Sequence, residues 1–162
     1  MPGLLLLQKE QAEFVATRSF LWGMMTPQKH REGTETQNGM AYEELTELTR
    51  KIIGSAIDVH KAVGPGFSER IYAKALQHEL QERKVPFVVE QTIRVKYRGK
   101  LLGTHRLDLV VKDAVVVELK AVYEINNFHV AQMLSYLKAS EKHLGLILNF
   151  ARGKLEIRRV AR

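Results

Sequence analysis

From about residue 40 onward, apolar side chains recur first at helical intervals and then at alternating ones. Leu45, Leu48, Ile52, Ala56, Val59 and Val63 step by three and four, which lines one face of a helix. Gly64-Pro65-Gly66 ends it, because proline stops a helix and glycine permits the turn. Ser68 is placed to cap a second helix running to about Lys84, with Ile71, Ala75, Leu76 and Leu80 facing inward, and Pro86 halts it. Three stretches rich in β-branched residues follow, 87–97, 101–111 and 114–119, separated by Arg98-Gly99-Lys100 and by Lys112-Asp113. A third helix is predicted from about Asn127 to Glu141, then two strands, 144–150 and 154–160, around a turn at Arg152-Gly153. The order α-α-β-β-β-α-β-β predicts an α/β domain on a mixed β-sheet flanked by helices.

The first forty residues are different in kind. Their polar, Gly- and Thr-containing end, 32–39, reads as a linker, and 9–22 could form a short helix carrying Phe14, Leu21 and Trp22. Residues 1–40 are therefore expected to be an N-terminal extension, disordered or the product of a start codon placed too early. Met24, Met25 and Met40 allow the second option. The folded domain is expected over 41–162. Leu4-Leu5-Leu6-Leu7 is too short for a signal-peptide core, and no run approaches a membrane span of roughly 18 apolar residues. No membrane partner and a cytoplasmic location are expected. With no cysteine in the chain, disulfides and thiolate-held zinc or iron–sulfur sites are excluded.

The net charge of +7 adds a partner class. Residues 1–40 balance Lys9, Arg18, Lys29 and Arg31 against Glu10, Glu13, Glu32 and Glu35, so the excess lies in 41–162. A basic domain favours polyanions through phosphate contacts and counterion release.

Against that background Asp108 and Glu118-Leu119-Lys120 stand out. Alternation puts Glu118 and Lys120 on one face of their strand, with Val117 and Leu119 on the other. If the hairpin turns through Lys112, Asp113 and Ala114, Val111 lies opposite Val115 and Asp108 opposite Glu118, Cβ atoms about 4.5–5.5 Å apart. A two-residue turn would instead pair Asp108 with Val117 on the wrong face. Two adjacent carboxylates are unfavourable unless a cation or proton lies between them. Magnesium accepts one or two carboxylates and keeps its waters, so Asp108, Glu118 and the Leu119 carbonyl are candidate ligands, with Lys120 orienting the attacking water.

On the helix that follows, His129, Gln132 and Tyr136 share one face, where they could bind a phosphate or a base. The plainer alternative leaves Tyr136 in the core and Gln132 exposed. Glu69 and Tyr72 lie on the helix after Gly64-Pro65-Gly66, where Glu69 adds a further acid or simply favours the helix dipole. His60, one turn before the break, could reach a metal or bond the last helical carbonyls.

These residues together resemble a known family. Residues 57–65 followed by Gly66-x-x-Glu69-x-x-Tyr72 look like the signature of the GxxExxY proteins, mostly bacterial members of the PD-(D/E)xK nuclease superfamily. The likeness continues through Arg106-Leu107-Asp108, Val117-Glu118-Leu119-Lys120, His129-x-x-Gln132-x-x-x-Tyr136 and Gly145 to Phe150. It implies a restriction-endonuclease-like core and a Mg²⁺- or Mn²⁺-dependent nuclease acting on nucleic acid, most readily DNA. The alternative is a non-cleaving binding protein that keeps the fold. By resemblance Glu69, Asp108, Glu118 and Lys120 are catalytic, and Glu69 joins the metal set of Asp108, Glu118 and Leu119, with His60 a further candidate. Gln132 and Tyr136 match the Q-x-x-x-Y element of RecB-type nucleases and, with His129 and Tyr72, are candidates for substrate binding. Leu107 stands where the superfamily name has proline.

Overall fold

The structure, a computed structural model, describes residues 40–162. The expectations for 1–39, the linker and the short helix included, fall outside the described residues. Helix α1 spans Tyr42–Val63 and α2 spans Glu69–Glu82. Strands β1 (Phe87–Tyr97), β2 (Lys100–Val111) and β3 (Val115–Lys120) follow, then α3 (Asn127–Ser140), β4 (Leu144–Asn149) and β5 (Glu156–Ala161). The order is the one that periodicity predicts.

The five strands form one sheet in the order β1-β2-β3-β4-β5. Neighbours are antiparallel except β3 and β4, which run parallel because α3 carries the chain back between them. Helices cover both faces. Leu48, Ile52 and Ala56 of α1 and Leu76 and Leu80 of α2 pack with Val115, Val117 and Leu119 of β3 and Leu146 and Leu148 of β4. Met133 and Leu137 of α3 pack on the other face with Val110, Val116 and Ile147. The central strands read as continuous apolar runs because both of their faces are buried.

Two local details depart from the expectation. Ile71 is 44% exposed, and Tyr72, fully buried, takes the inward position above Leu76 and Leu80. Those three lie four residues apart, so the buried stripe of α2 begins one residue later than the aliphatic pattern suggests. Ser68 occupies the N-cap position without a side-chain bond there.

Gly145 shows how closely α3 sits on the sheet. A Cβ at this position would overlap the Met133 side chain from Cγ to Cε. Gly145→Ala should therefore overpack the interface and cost about 1–3 kcal/mol in urea unfolding. An unchanged midpoint would mean that α3 rides higher on β4 than described.

Candidate functional site

The turn between β2 and β3 sets the site. Lys112 and Asp113 both take left-handed backbone, at φ 49° and 53°, and the Ala114 amide donates to the Val111 carbonyl at 3.0 Å. Ala114 is then one residue more than a two-residue hairpin holds, so Val111 pairs with Val115 and Leu109 with Val117. Continuing that register sets Asp108 across from Glu118. The odd loop required by the sequence is present.

At Asp108 the sheet loosens. The Cα pairs run Val89–Leu109 and Gln91–Leu107, while Glu90, at φ 49°, and Asp108 drop out. Leu107 packs in the α3-side core although Leu109 lies in the opposite one, so the strand turns over at Asp108. The Asp108 carboxylate replaces the missing ladder bond by accepting from the Leu119 amide at 2.8 Å. The N–H and C=O of one strand residue point to the same neighbour, so the Leu119 carbonyl also looks toward this gap.

Glu118 is 7% exposed. Its Oε1 accepts from Lys120 Nζ at 3.0 Å, and the same ammonium reaches Gln132 Oε1 at 3.3 Å. Its Oε2 is the one buried side-chain polar atom, among the described residues, with no hydrogen-bond partner. Burial pushes the Glu118 carboxyl up to about 7, the Asp108 charge adds to that, and the Lys120 ammonium only partly opposes it. Burial likewise raises Asp108, against the Leu119 amide and Lys120, with Glu69 pushing the same way as burial. Tyr136 is raised to about 12 by burial and by Glu118 and Asp108, so its hydroxyl keeps its proton beside the pair.

Glu69 stands at the first turn of α2 with Oε1 accepting from the Ala121 amide at 3.1 Å, just past Lys120. With Asp108, Arg70 and Lys74 it lines a groove of about 480 Å³. The structure thus brings together Asp108, Glu118, Lys120, Gln132 and Tyr136, with Glu69 at the rim. Three sequence candidates belong elsewhere. Tyr72 is fully buried, stacked on Phe150 at 4.5 Å, and its hydroxyl donates to the Gly64 carbonyl at 2.8 Å while accepting from the Phe67 amide at 3.1 Å. It closes the glycine loop from within and cannot touch a substrate. His60 places Nε2 2.8 Å from the Arg152 carbonyl, which needs that nitrogen protonated and so bars it from a metal. His129 is the third residue of α3, where it completes a capping box with the N-cap Asn126, its Nδ1 accepting from the Asn126 amide at 3.1 Å.

Other contributors went unmarked in the sequence. His105 stacks on Tyr136 with ring centroids 4.3 Å apart and helps offset the Asp108 charge. Asn149, fully buried opposite Lys120, holds the backbone N–H and C=O of Val122 at 3.0 and 2.8 Å. Glu156 accepts from Asn149 at 3.0 Å and from the Ile125 amide at 3.2 Å, which ties down the loop leading into α3. A lone asparagine ending an otherwise apolar strand is the only trace of this clasp in the sequence.

The donors fit a hard divalent cation. Glu118 Oε2 lacks a partner, Asp108 keeps a second oxygen, and the neighbours that would gain from a positive charge are both carboxylates. No three His, Cys, Asp or Glu side chains among the described residues are close enough to form a cage. Two carboxylates and a backbone carbonyl would leave the other positions to water, as magnesium requires.

A helix-flanked mixed sheet carrying an aspartate, then Glu-x-Lys, on adjacent strands is the core of a nuclease class. The chain belongs to the PD-(D/E)XK nuclease superfamily, whose family model matches residues 46–160. The crystal structure of SSO0001 is similar over 74% of this chain at 16% identity and a TM-score of 0.47. This chain spans 59% of that protein's length. No curated protein matches the chain.

The raised Glu118 carboxyl has a consequence for stability. Between the ordinary 4.5 and about 7 the folded protein keeps a proton that the unfolded chain has released. Stability then falls as pH rises through that window and stays reduced above it. In EDTA, Glu118→Gln should exceed wild type at pH 8 by on the order of 1–3 kcal/mol, and the difference should vanish near pH 4. Urea midpoints across pH read this directly, and a pH-independent difference between the two proteins would refute it.

Proposed function

We propose that this protein is a divalent-metal-dependent nuclease of the GxxExxY group that hydrolyses phosphodiester bonds, with DNA as its principal substrate. The observation that carries the reading is the partnerless Glu118 Oε2, buried beside Asp108 and held in place by Lys120. A fold with no catalytic use for this pair would bury two carboxylates at a net cost. The Gly66-x-x-Glu69-x-x-Tyr72 spacing supports the group assignment: Tyr72 locks the turn, and Glu69 points from it to the end of β3.

Asp108, Glu118 and the Leu119 carbonyl would hold Mg²⁺ or Mn²⁺, with Glu69 acting through the waters between. When bound, the ion lowers the pKa of its water and neutralises charge on the phosphate. The chain's own groups do the rest. Lys120 has three N–H donors, of which Glu118 and Gln132 take two, and the third is free to hold the attacking water or a phosphate oxygen. Gln132 keeps its amide N–H groups for the phosphate, since its oxygen is bound to Lys120. Water oxygen attacks phosphorus and releases a proton to solvent, the bond to the leaving sugar oxygen breaks, and that oxygen takes up a proton from solvent. Residues 41–162 form the catalytic domain in this reading, and its place is the cytoplasm, where the nucleic acid is.

Incubation with single- and double-stranded DNA and RNA, in Mg²⁺, Mn²⁺ or EDTA, tests this. Cleavage should require metal and fall by about 10²-fold or more in Asp108→Ala and in Lys120→Ala. Calorimetric Mn²⁺ binding should disappear in Asp108→Ala and persist in Lys120→Ala. Nucleic-acid binding without cleavage by wild type in any metal would instead identify a non-cleaving accessory protein.

A further inference from the structure

The outer halves of β1 and β2 form an arm of one charge sign. Between residues 91 and 106 lie Arg94, Lys96, Arg98, Lys100 and Arg106 and not a single carboxylate. Arg106 pairs with Glu90 at 3.0 Å, and the other four are exposed. The same arm exposes apolar surface. A bulge between Val95 and Lys96 leaves Leu102 outside the pairing at 65% exposure, with Val95 at 41% and Tyr97 at 59%.

Between this arm and α3 runs a groove of about 680 Å³. Val95 and Leu102 contribute apolar wall, Arg94, Lys96 and Lys138 contribute charge, and no Asp or Glu lines it. His105 and Tyr136, stacked on each other, line it as well, and Tyr136 lies one helical turn from Gln132, whose partner Lys120 holds Glu118. The groove therefore adjoins the carboxylate site. Its chemistry is selective. A duplex shows phosphates outside and hides its bases, so it would use the cations and leave the apolar wall wet. A single strand offers phosphates to the cations and base faces to the apolar and aromatic surface at once.

Resting on the nuclease reading above, we propose that this groove is a track for a single-stranded polynucleotide, which it feeds to Asp108 and Glu118. Arg94 and Lys96 contact phosphates, Leu102 and Val95 receive bases, and the stacked His105–Tyr136 pair marks the approach to the carboxylates.

Binding in EDTA, where nothing is cut, separates this proposal from catalysis. Fluorescence anisotropy would compare labelled oligothymidylate, oligouridylate and a mixed-sequence duplex, each roughly 12 nucleotides long, within the range of single-strand sites. Both single strands should bind about tenfold or more tighter than the duplex, and the first two arms tell DNA from RNA. The double variant Arg94→Ala/Lys96→Ala should weaken single-strand binding by about tenfold and flatten its salt slope by about 1.4, two contacts at 0.7 each. Leu102→Ser should weaken it several-fold with the slope unchanged. These side chains are exposed, and matching circular dichroism melts would show that the variants fold. Equal or tighter duplex binding would overturn the proposal, as would wild-type affinity in both variants. Groove-dependent binding by a protein that cuts nothing would remove the nuclease reading and leave the track. Metal-dependent cutting by groove variants that bind like wild type would do the reverse.

Discussion

One extra residue in a hairpin turn decides whether this molecule has a site. Were the β2–β3 connection two residues long, Asp108 would lie across from Val117 and bury its charge among valines and leucines. With Ala114 in the turn Leu109 pairs with Val117, and the same register carried one residue further sets Asp108 across from Glu118. The turn is not free, since Lys112 and Asp113 sit in left-handed backbone at about 1–2 kcal/mol each for most residues, less for aspartate. Outside contacts help to hold it: the Lys112 amide donates to the Pro86 carbonyl at 2.9 Å, and Lys142 pairs with Asp113 at 2.6 Å. The register is thus enforced by neighbours as well as by the turn itself.

The same register creates an electrostatic conflict that the protein does not resolve internally. Leu119 supplies Asp108 with an amide, and Lys120 supplies Glu118 with an ammonium, yet burial still raises both carboxyl groups. Tyr136 stays neutral beside them and adds no charge to the problem. What remains is a concentration of negative potential in a low-dielectric crevice, with one oxygen wholly unengaged. Such an arrangement is most stable with a cation in it, and it costs least in the free protein when Glu118 is protonated.

The fold was legible because two periods dominate this chain. Steps of three and four along α1 and near-continuous apolar runs at β3 and β4 translate directly into one helix face and two buried sheet faces. Asp108, Glu118 and Lys120 were legible because strand alternation needs only a register to bring them together. Tyr72, His60 and His129 are instead bonded to backbone groups, for a shared reason. Each is polar and lies near the motif, but a side chain's bond to a distant or local backbone group cannot be read from spacing. The carbonyl that holds His60 comes from Arg152, on the far side of the sequence. His105 and Asn149 were missed because nothing short-range distinguishes them, and their partners, Tyr136 and Glu156, become neighbours only once α3 crosses the sheet.

That crossing explains why the site lies where it does. β3 and β4 are parallel and end together, Lys120 level with Asn149, and the chain must leave β3 there to build α3. A crevice at the carboxyl ends of such strands is a consequence of topology. On one side of it β2 leaves the ladder at Asp108, whose carboxylate accepts from the Leu119 amide. On the other, Asn149 and Glu156 bind the departing backbone at Val122 and Ile125, so the loop cannot drift and α3 starts from a fixed point. Gln132 then reaches Lys120, with Tyr136 one turn further on, from a helix whose origin is pinned by six hydrogen-bonding atoms of the sheet's last two strands and the loop. The carboxylate site and the clasp are therefore two halves of one device, and a change to Asn149 would move Lys120's partner Gln132 without touching either.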